Sequence, residues 1–209
     1  MAMNGLPKTT VNGAKRSEDL RKQLRAKCEA FALMRHGLAQ MRPAEYAYDS
    51  TDDYILAKGG TFSQEPLTAD EKKALRKFAA QMEFPGKLCF MNAFHLAEAG
   101  ERLGFQYAEG VGFSVGVDIL PIQHAWAVWH DKVIDPTWRS LTDIRTGLAA
   151  TIERIDQNLA GASYLGLTIP LDYLRKLQRK SREYGPAIDD YLNGWPMLRK
   201  DFSFKKERA

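Results

Sequence analysis

Cysteine is scarce. The 209 residues hold only Cys28 and Cys89, too few for a disulfide framework, so the expected setting is a reducing cytoplasm. Long apolar runs are missing too. No stretch approaches the roughly 20 residues that a membrane-spanning helix needs, and Met1–Lys15 lacks the apolar centre of a signal peptide, so no membrane is expected. Neither sign of charge dominates: 30 Lys and Arg stand against 26 Asp and Glu, a net of +4. The chain is therefore not a polyanion binder by bulk charge. Cys89, His95, His124 and His130 are ligand types, but no Cys-x-x-Cys or His-x-x-x-His pair joins them. No metal and no cofactor are expected. Internal repeats and low-complexity segments are also lacking.

What is present is a core-forming composition: 44% hydrophobic residues, with four Trp, eight Tyr and ten Phe. The polar residues 1–15 read as a flexible tail. Residues 16–42 read as a basic amphipathic helix, with Ser17 as its N-cap and Leu20, Leu24, Cys28 and Phe31 on one stripe. Residues 43–198 form the main domain, and 199–209 a basic tail. Within the domain, Asp49–Asp53 reads as an acidic loop and Tyr54-Ile55-Leu56 as a short strand. Gly59-Gly60-Thr61-Phe62 reads as a sharp loop, and Thr68-Ala-Asp-Glu71 as a capping box that opens a helix to about Met82. Tyr107–Leu120 and Ser163–Ile169 read as strands, and Leu171 to about Tyr184 as a helix. The fold class is α+β.

The chemistry concentrates in Gln123-His-Ala-Trp-Ala-Val-Trp-His-Asp-Lys-Val-Ile-Asp-Pro-Thr-Trp138, a β-hairpin by its β-branched and aromatic content. His124 and Asp135 are 11 residues apart (135 − 124), so an even-length turn places them on one face. A His130-Asp131 turn pairs Trp126 with Asp135 and leaves His124 diagonal to the acid. An Asp131-Lys132 turn pulls the two apart. A nucleophile is found upstream. Pro85-Gly86 breaks the chain, Leu88 to about Arg102 is helical in composition, and Cys89 falls in its first turn. There the unpaired N–H groups and the helix dipole favour a thiolate. Ala93, Leu96, Ala97 and Gly100 follow as a small-residue stripe suited to packing on a sheet. Each of the three is unremarkable alone: a core cysteine, a strand histidine, a turn aspartate. Together they form a nucleophile, a base and an orienting acid.

The order Cys89, His124, Asp135, with His-Ala-Trp leading to Asp-Pro-Thr-Trp, resembles the transglutaminase-like branch of the papain-like cysteine enzymes over residues 84 to 140. The resemblance implies a papain/transglutaminase-like core, in which a Cys-bearing helix packs on an antiparallel sheet. It also implies acyl transfer through a thioester: an amide or ester hydrolase, a deamidase or an acyltransferase. The partners would be a peptide or small acyl donor and, for transfer, an amine acceptor. All four Trp follow Cys89, and no Gln lies within the seven residues before it. Gln123 and Asn92 are therefore the candidate oxyanion donors beside the Cys89 backbone N–H. Trp126 and Glu109 are candidate substrate contacts, and Glu109, a lone acid in an apolar run, also suits a structural role. The alternative is an inactive scaffold whose basic helices bind nucleic acid or protein. Arg175–Arg182 carries five Lys and Arg with no acid, but no recognition motif accompanies it.

Overall fold

The structure is a computed structural model that describes residues 9–36, 43–114, 121–138 and 162–205. Most of the expected N-terminal tail, the end of the first helix beyond His36, the run 115–120 and the last four basic-tail residues lie outside these. The fold is α+β: helices packed on an antiparallel sheet of five strands, in the spatial order β1 (Gly60–Thr61), β5 (Ala162–Ile169), β2 (Gln106–Ser114), β3 (Ile122–Trp129) and β4 (Lys132–Ile134).

Helix α1 (Thr9–His36) begins before the expected Ser17 cap, so Thr9–Lys15 is helical rather than a loose tail. Each residue added to a nucleated helix gains a hydrogen bond, and this outweighs the weak propensity of the Asn12-Gly13 pair. Leu20, Leu24 and Cys28 lie buried on its stripe. Helix α2 (Thr51–Lys58) stands where the sequence suggested an acidic loop and a strand. The Ser50 side chain accepts from the Asp53 N–H, and Asp52 and Asp53 sit in the first turn. Those N-terminal signals override the β preference of Tyr54 and Ile55. Gly60–Thr61 is not merely a turn but a two-residue edge strand, β1, paired with Gly166 and Leu165 of β5 (Ala162–Ile169). A Cβ on the adjoining Gly59 would lie 2.8 Å from the Gly166 carbonyl oxygen, so the approach needs glycine.

Helix α3 (Ala69–Ala79) opens with the expected capping box, both bonds formed between Thr68 and Glu71. Helix α4 (Cys89–Ala99) carries Ala93, Leu96 and Ala97, all fully buried. A 3-10 turn, Glu101–Leu103, and the left-handed Gly104 (φ 86°) then lead into β2 (Gln106–Ser114). The hairpin is β3 (Ile122–Trp129) and β4 (Lys132–Ile134), closed by His130 and Asp131, both with positive φ (50° and 61°). That two-residue turn matches the right-handed twist of the strands. Glu71 braces it, taking Lys132 Nζ at 2.7 Å and His130 Nδ1 at 3.1 Å. The Lys132 bond and the Thr68 N–H hold the Glu71 carboxyl down at about 2.

Register assigns the two faces. Tyr107, Glu109 and Val111 of β2 oppose Ala127, Ala125 and Gln123 of β3, and their side chains point one way. Ala93, Phe94 and Ala97 of α4 pack on this face with Tyr107, Val111 and Ala125. So do Leu20, Leu24 and Cys28 of α1, and Leu171 and Leu174 of α5 (Leu171–Ser181). The other face carries Ala108, Trp126, Val128, Val133 and Tyr164, covered by Phe62 and Trp138. Across it runs a row of facing residues, Gly60, Gly166, Gly110 and His124, one from each of β1, β5, β2 and β3. Among the described residues no helix is long and apolar enough to cross a membrane.

Candidate active site

β4 pairs only with Ala127–Trp129, so the first half of β3 has no β4 partner along that edge. Residues Asp135–Trp138 and the tip of α4 meet there. The turn is His130-Asp131, and continuing its register sets Asp135 opposite Trp126 and diagonal to His124. The Nε2 of His124 lies 2.7 Å from Oδ2 of Asp135, with the histidine 1% and the aspartate 0% exposed. The Tyr164 hydroxyl donates to the same oxygen at 2.8 Å. The Thr137 and Trp138 N–H groups donate to Oδ1 at 2.8 and 2.9 Å. Four donors thus hold one buried carboxylate in a fixed pose. Pro136 gives this turn its stiffness.

Trp138 lies flat on the imidazole, ring centroids 3.9 Å apart and planes 13° from parallel. It fits because residue 112 is glycine: a Cβ there would come within 2.6 Å of the indole. Trp126 lies on the same face as His124, its ring centroid 6.2 Å from the imidazole. The histidine can neither swing out nor flip. Its protonation reflects competing forces. Burial disfavours the charged ring, but the Asp135 charge and hydrogen bond, joined by a hydrogen bond and charge from Cys89, carry it up to about 9.

Cys89 opens α4 and is half-buried, close enough to His124 for its thiol to act on the imidazole. Since Nε2 is committed to Asp135, Nδ1 is the nitrogen left to exchange a proton with the thiol. No described side chain caps the start of α4, whose N-cap position is Leu88. Cys28 is its opposite: fully buried in the α1 stripe and pushed up to about 12 by burial, with Asp52 and Glu29 adding to it.

The remaining sequence candidates fare unevenly. Gln123 is exposed at the mouth of β3 and donates to Asp189 at 2.8 Å, leaving one amide hydrogen. Asn92 does not serve as an oxyanion donor. It is 1% exposed, and both its hydrogens are spent, on the Pro85 carbonyl at 2.7 Å and on Thr137 Oγ1 at 2.9 Å. Trp126 is fully buried and cannot touch a substrate. Glu109 also faces inward. It accepts from the Ala187 and Ile188 N–H groups at 2.8 Å and from the Tyr107 hydroxyl at 2.9 Å, which seats the 186–190 loop. Burial lifts it to about 7 against these donors. Tyr164 and Trp138 are the partners that sequence reasoning missed. The Trp in Asp-Pro-Thr-Trp was a usable signal, whereas Tyr164 had none. Among the described residues no cluster of His, Cys, Asp and Glu suits a metal. Arg175, first of the basic run, is engaged by Glu98, Glu101 and Asp172. Comparison with protein-family models, curated proteins and solved structures returned no match.

Proposed function

We propose that the protein is a thiol-dependent acyl-transfer enzyme with a transglutaminase-like core, in which Cys89 is the nucleophile, His124 the base and Asp135 the orienting acid. One observation carries the reading: a buried His124–Asp135 pair, fixed by Tyr164, Trp138 and two backbone amides, stands beside a cysteine at a helix tip. Elsewhere in the chain such a buried charge pair would be a poor way to gain stability.

In this scheme His124 Nδ1 takes the Cys89 proton. The thiolate forms a bond to the carbonyl carbon of an amide or ester, and the π electrons move onto oxygen. The Cys89 N–H and the uncapped first turn of α4 face that oxyanion. As the intermediate collapses, the bond to the amine or alcohol breaks and His124 protonates the leaving group. Water or an amine then attacks the thioester, gives its proton to His124 and restores the thiol. The Asp135 charge keeps the imidazolium favourable throughout.

The test is peptide-resolved alkylation of both cysteines across pH, followed by a screen of acyl donors with and without added amines. Cys89 should react readily at pH 6 and lose that reactivity in His124→Ala, while Cys28 stays unlabelled. An ordinary thiol profile for Cys89, indifferent to His124, would refute the proposal. Hydroxamate or amide formation on adding amines would assign transfer, and acid release alone would assign hydrolysis.

A further inference from the structure

Asn92 is three residues after Cys89, on the same side of α4, and its amide touches two other segments. One hydrogen goes to the carbonyl of Pro85 in the turn before the helix, and the other to the hydroxyl of Thr137 in the turn that carries the acid. The orientation of the amide is not arbitrary. Pro85 offers only a carbonyl acceptor, so a flipped Asn92 would set oxygen against oxygen. The remaining oxygen, Oδ1, is buried without a partner, so this geometry is kept despite leaving an acceptor unsatisfied.

Followed outward, the contacts close on themselves. Asn92 holds Thr137, and the Thr137 N–H holds Asp135. Asp135 holds His124, and His124 meets Cys89. One helical turn leads from Cys89 back to Asn92. The helix start has little else to fix it: Leu88 supplies no cap, and Lys87 sits in the left-handed region (φ 67°).

We infer that Asn92 is a positioning residue, whose amide clamps the Cys89 helix to the Asp135–Thr137 turn and so sets the distance between thiol and imidazole. It touches no reacting atom. The inference rests on the acyl-transfer reading, and the experiment separates the two.

The measurement is the pH profile of Cys89 alkylation in the full chain for wild type, Asn92→Asp, Thr137→Val and Thr137→Ser. Asn92→Asp preserves shape but replaces the donors with acceptors. Thr137→Val removes the hydroxyl at nearly constant volume, and Thr137→Ser keeps it. Asn92→Asp and Thr137→Val should lower the rate at pH 6 by about tenfold to a hundredfold, the effect of misplacing a reacting group by about 1 Å. Thr137→Ser should restore it. Cys28 reports folding, because it is labelled only when the core opens. If Asn92→Asp opens the core, the Val and Ser pair decides. Wild-type reactivity in Thr137→Val, or equal loss in Val and Ser, overturns the inference and leaves the triad standing. A wild type without enhanced reactivity at pH 6 overturns both.

Discussion

Replacing Asp135 by Asn tests the electrostatic centre of the site with little change in shape. The Asn oxygen can keep the Thr137 and Trp138 N–H bonds that Oδ1 now accepts. Its NH₂ group would take the other position, facing His124 Nε2 and the Tyr164 hydroxyl. Tyr164 can turn its hydroxyl to accept. His124 can accommodate a donor at Nε2 only by moving its own proton to Nδ1, and an Nδ1–H cannot take a proton from Cys89. The charge effect runs the same way. Burial pulls His124 down, but the Asp135 charge and hydrogen bond, together with those from Cys89, carry it from an ordinary 6.5 up to about 9. That net rise corresponds to about 3 kcal/mol, roughly 300-fold in the ion pair, and sets the scale of the loss when Asp135 is replaced. The freed thiolate is intrinsically more nucleophilic, by about tenfold for such a change in basicity. The net fall in Cys89 alkylation at pH 6 should therefore be about thirtyfold, fading at pH 9. Iodoacetamide labelling resolved by peptide mass reads it directly, with Cys28 as the folding control. A variant that labels Cys89 at the wild-type rate at pH 6, with Cys28 protected, would show that Asp135 does not govern the thiol.

Three further outcomes are expected. Gly112→Ala forces the Trp138 indole off His124, since the new methyl would lie within 2.6 Å of it. It should cost about 1–3 kcal/mol in urea unfolding and lower Cys89 reactivity, and unchanged values for both would refute the stacking argument. Glu109 is raised from 4.5 to about 7, so its contribution is complete below pH 4.5 and is lost as pH rises through 7. Between those limits wild type should lose about 3 kcal/mol that Glu109→Gln does not, and parallel stability–pH curves for the two would count against it. Asp131→Gly relieves a positive φ of 61° in the hairpin turn and should stabilise by up to about 1 kcal/mol, seen as a higher thermal midpoint, whereas a lower one would mean the aspartate is unstrained.

Local signals in the chain were legible where they were self-contained. The Thr68–Glu71 capping box spans four residues and formed as spelled. The odd separation of His124 from Asp135 left the turn type as the open question, and the His130-Asp131 turn settled the diagonal geometry. Helix α2 stands in place of a strand because Ser50 and the two acids spell a helix start that outweighs the β preference of Tyr54 and Ile55. β1 was invisible for another reason: two residues carry no periodicity, and its partner Gly166 lies about a hundred residues away. Separations of 29 and 78 residues likewise hid Tyr164 from Asp135 and Ala187 from Glu109. Nothing near Tyr164 announces a bond to position 135, and nothing near Ala187 announces that its amide seals a buried acid on β2.

The glycine row that ends at His124 has an evolutionary consequence. Along Gly60, Gly166 and Gly110 the sheet is bare on the side where the indoles of Trp126 and Trp138 rest. At Gly166 even a methyl would lie 2.8 Å from Trp126. Rings pressed onto naked backbone hold the imidazole in a mould with no slack. The helix-covered side can drift among aliphatic residues of similar bulk, whereas on this side Gly166 admits no side chain beneath Trp126. A lineage that abandoned the chemistry would be expected to fill that row first.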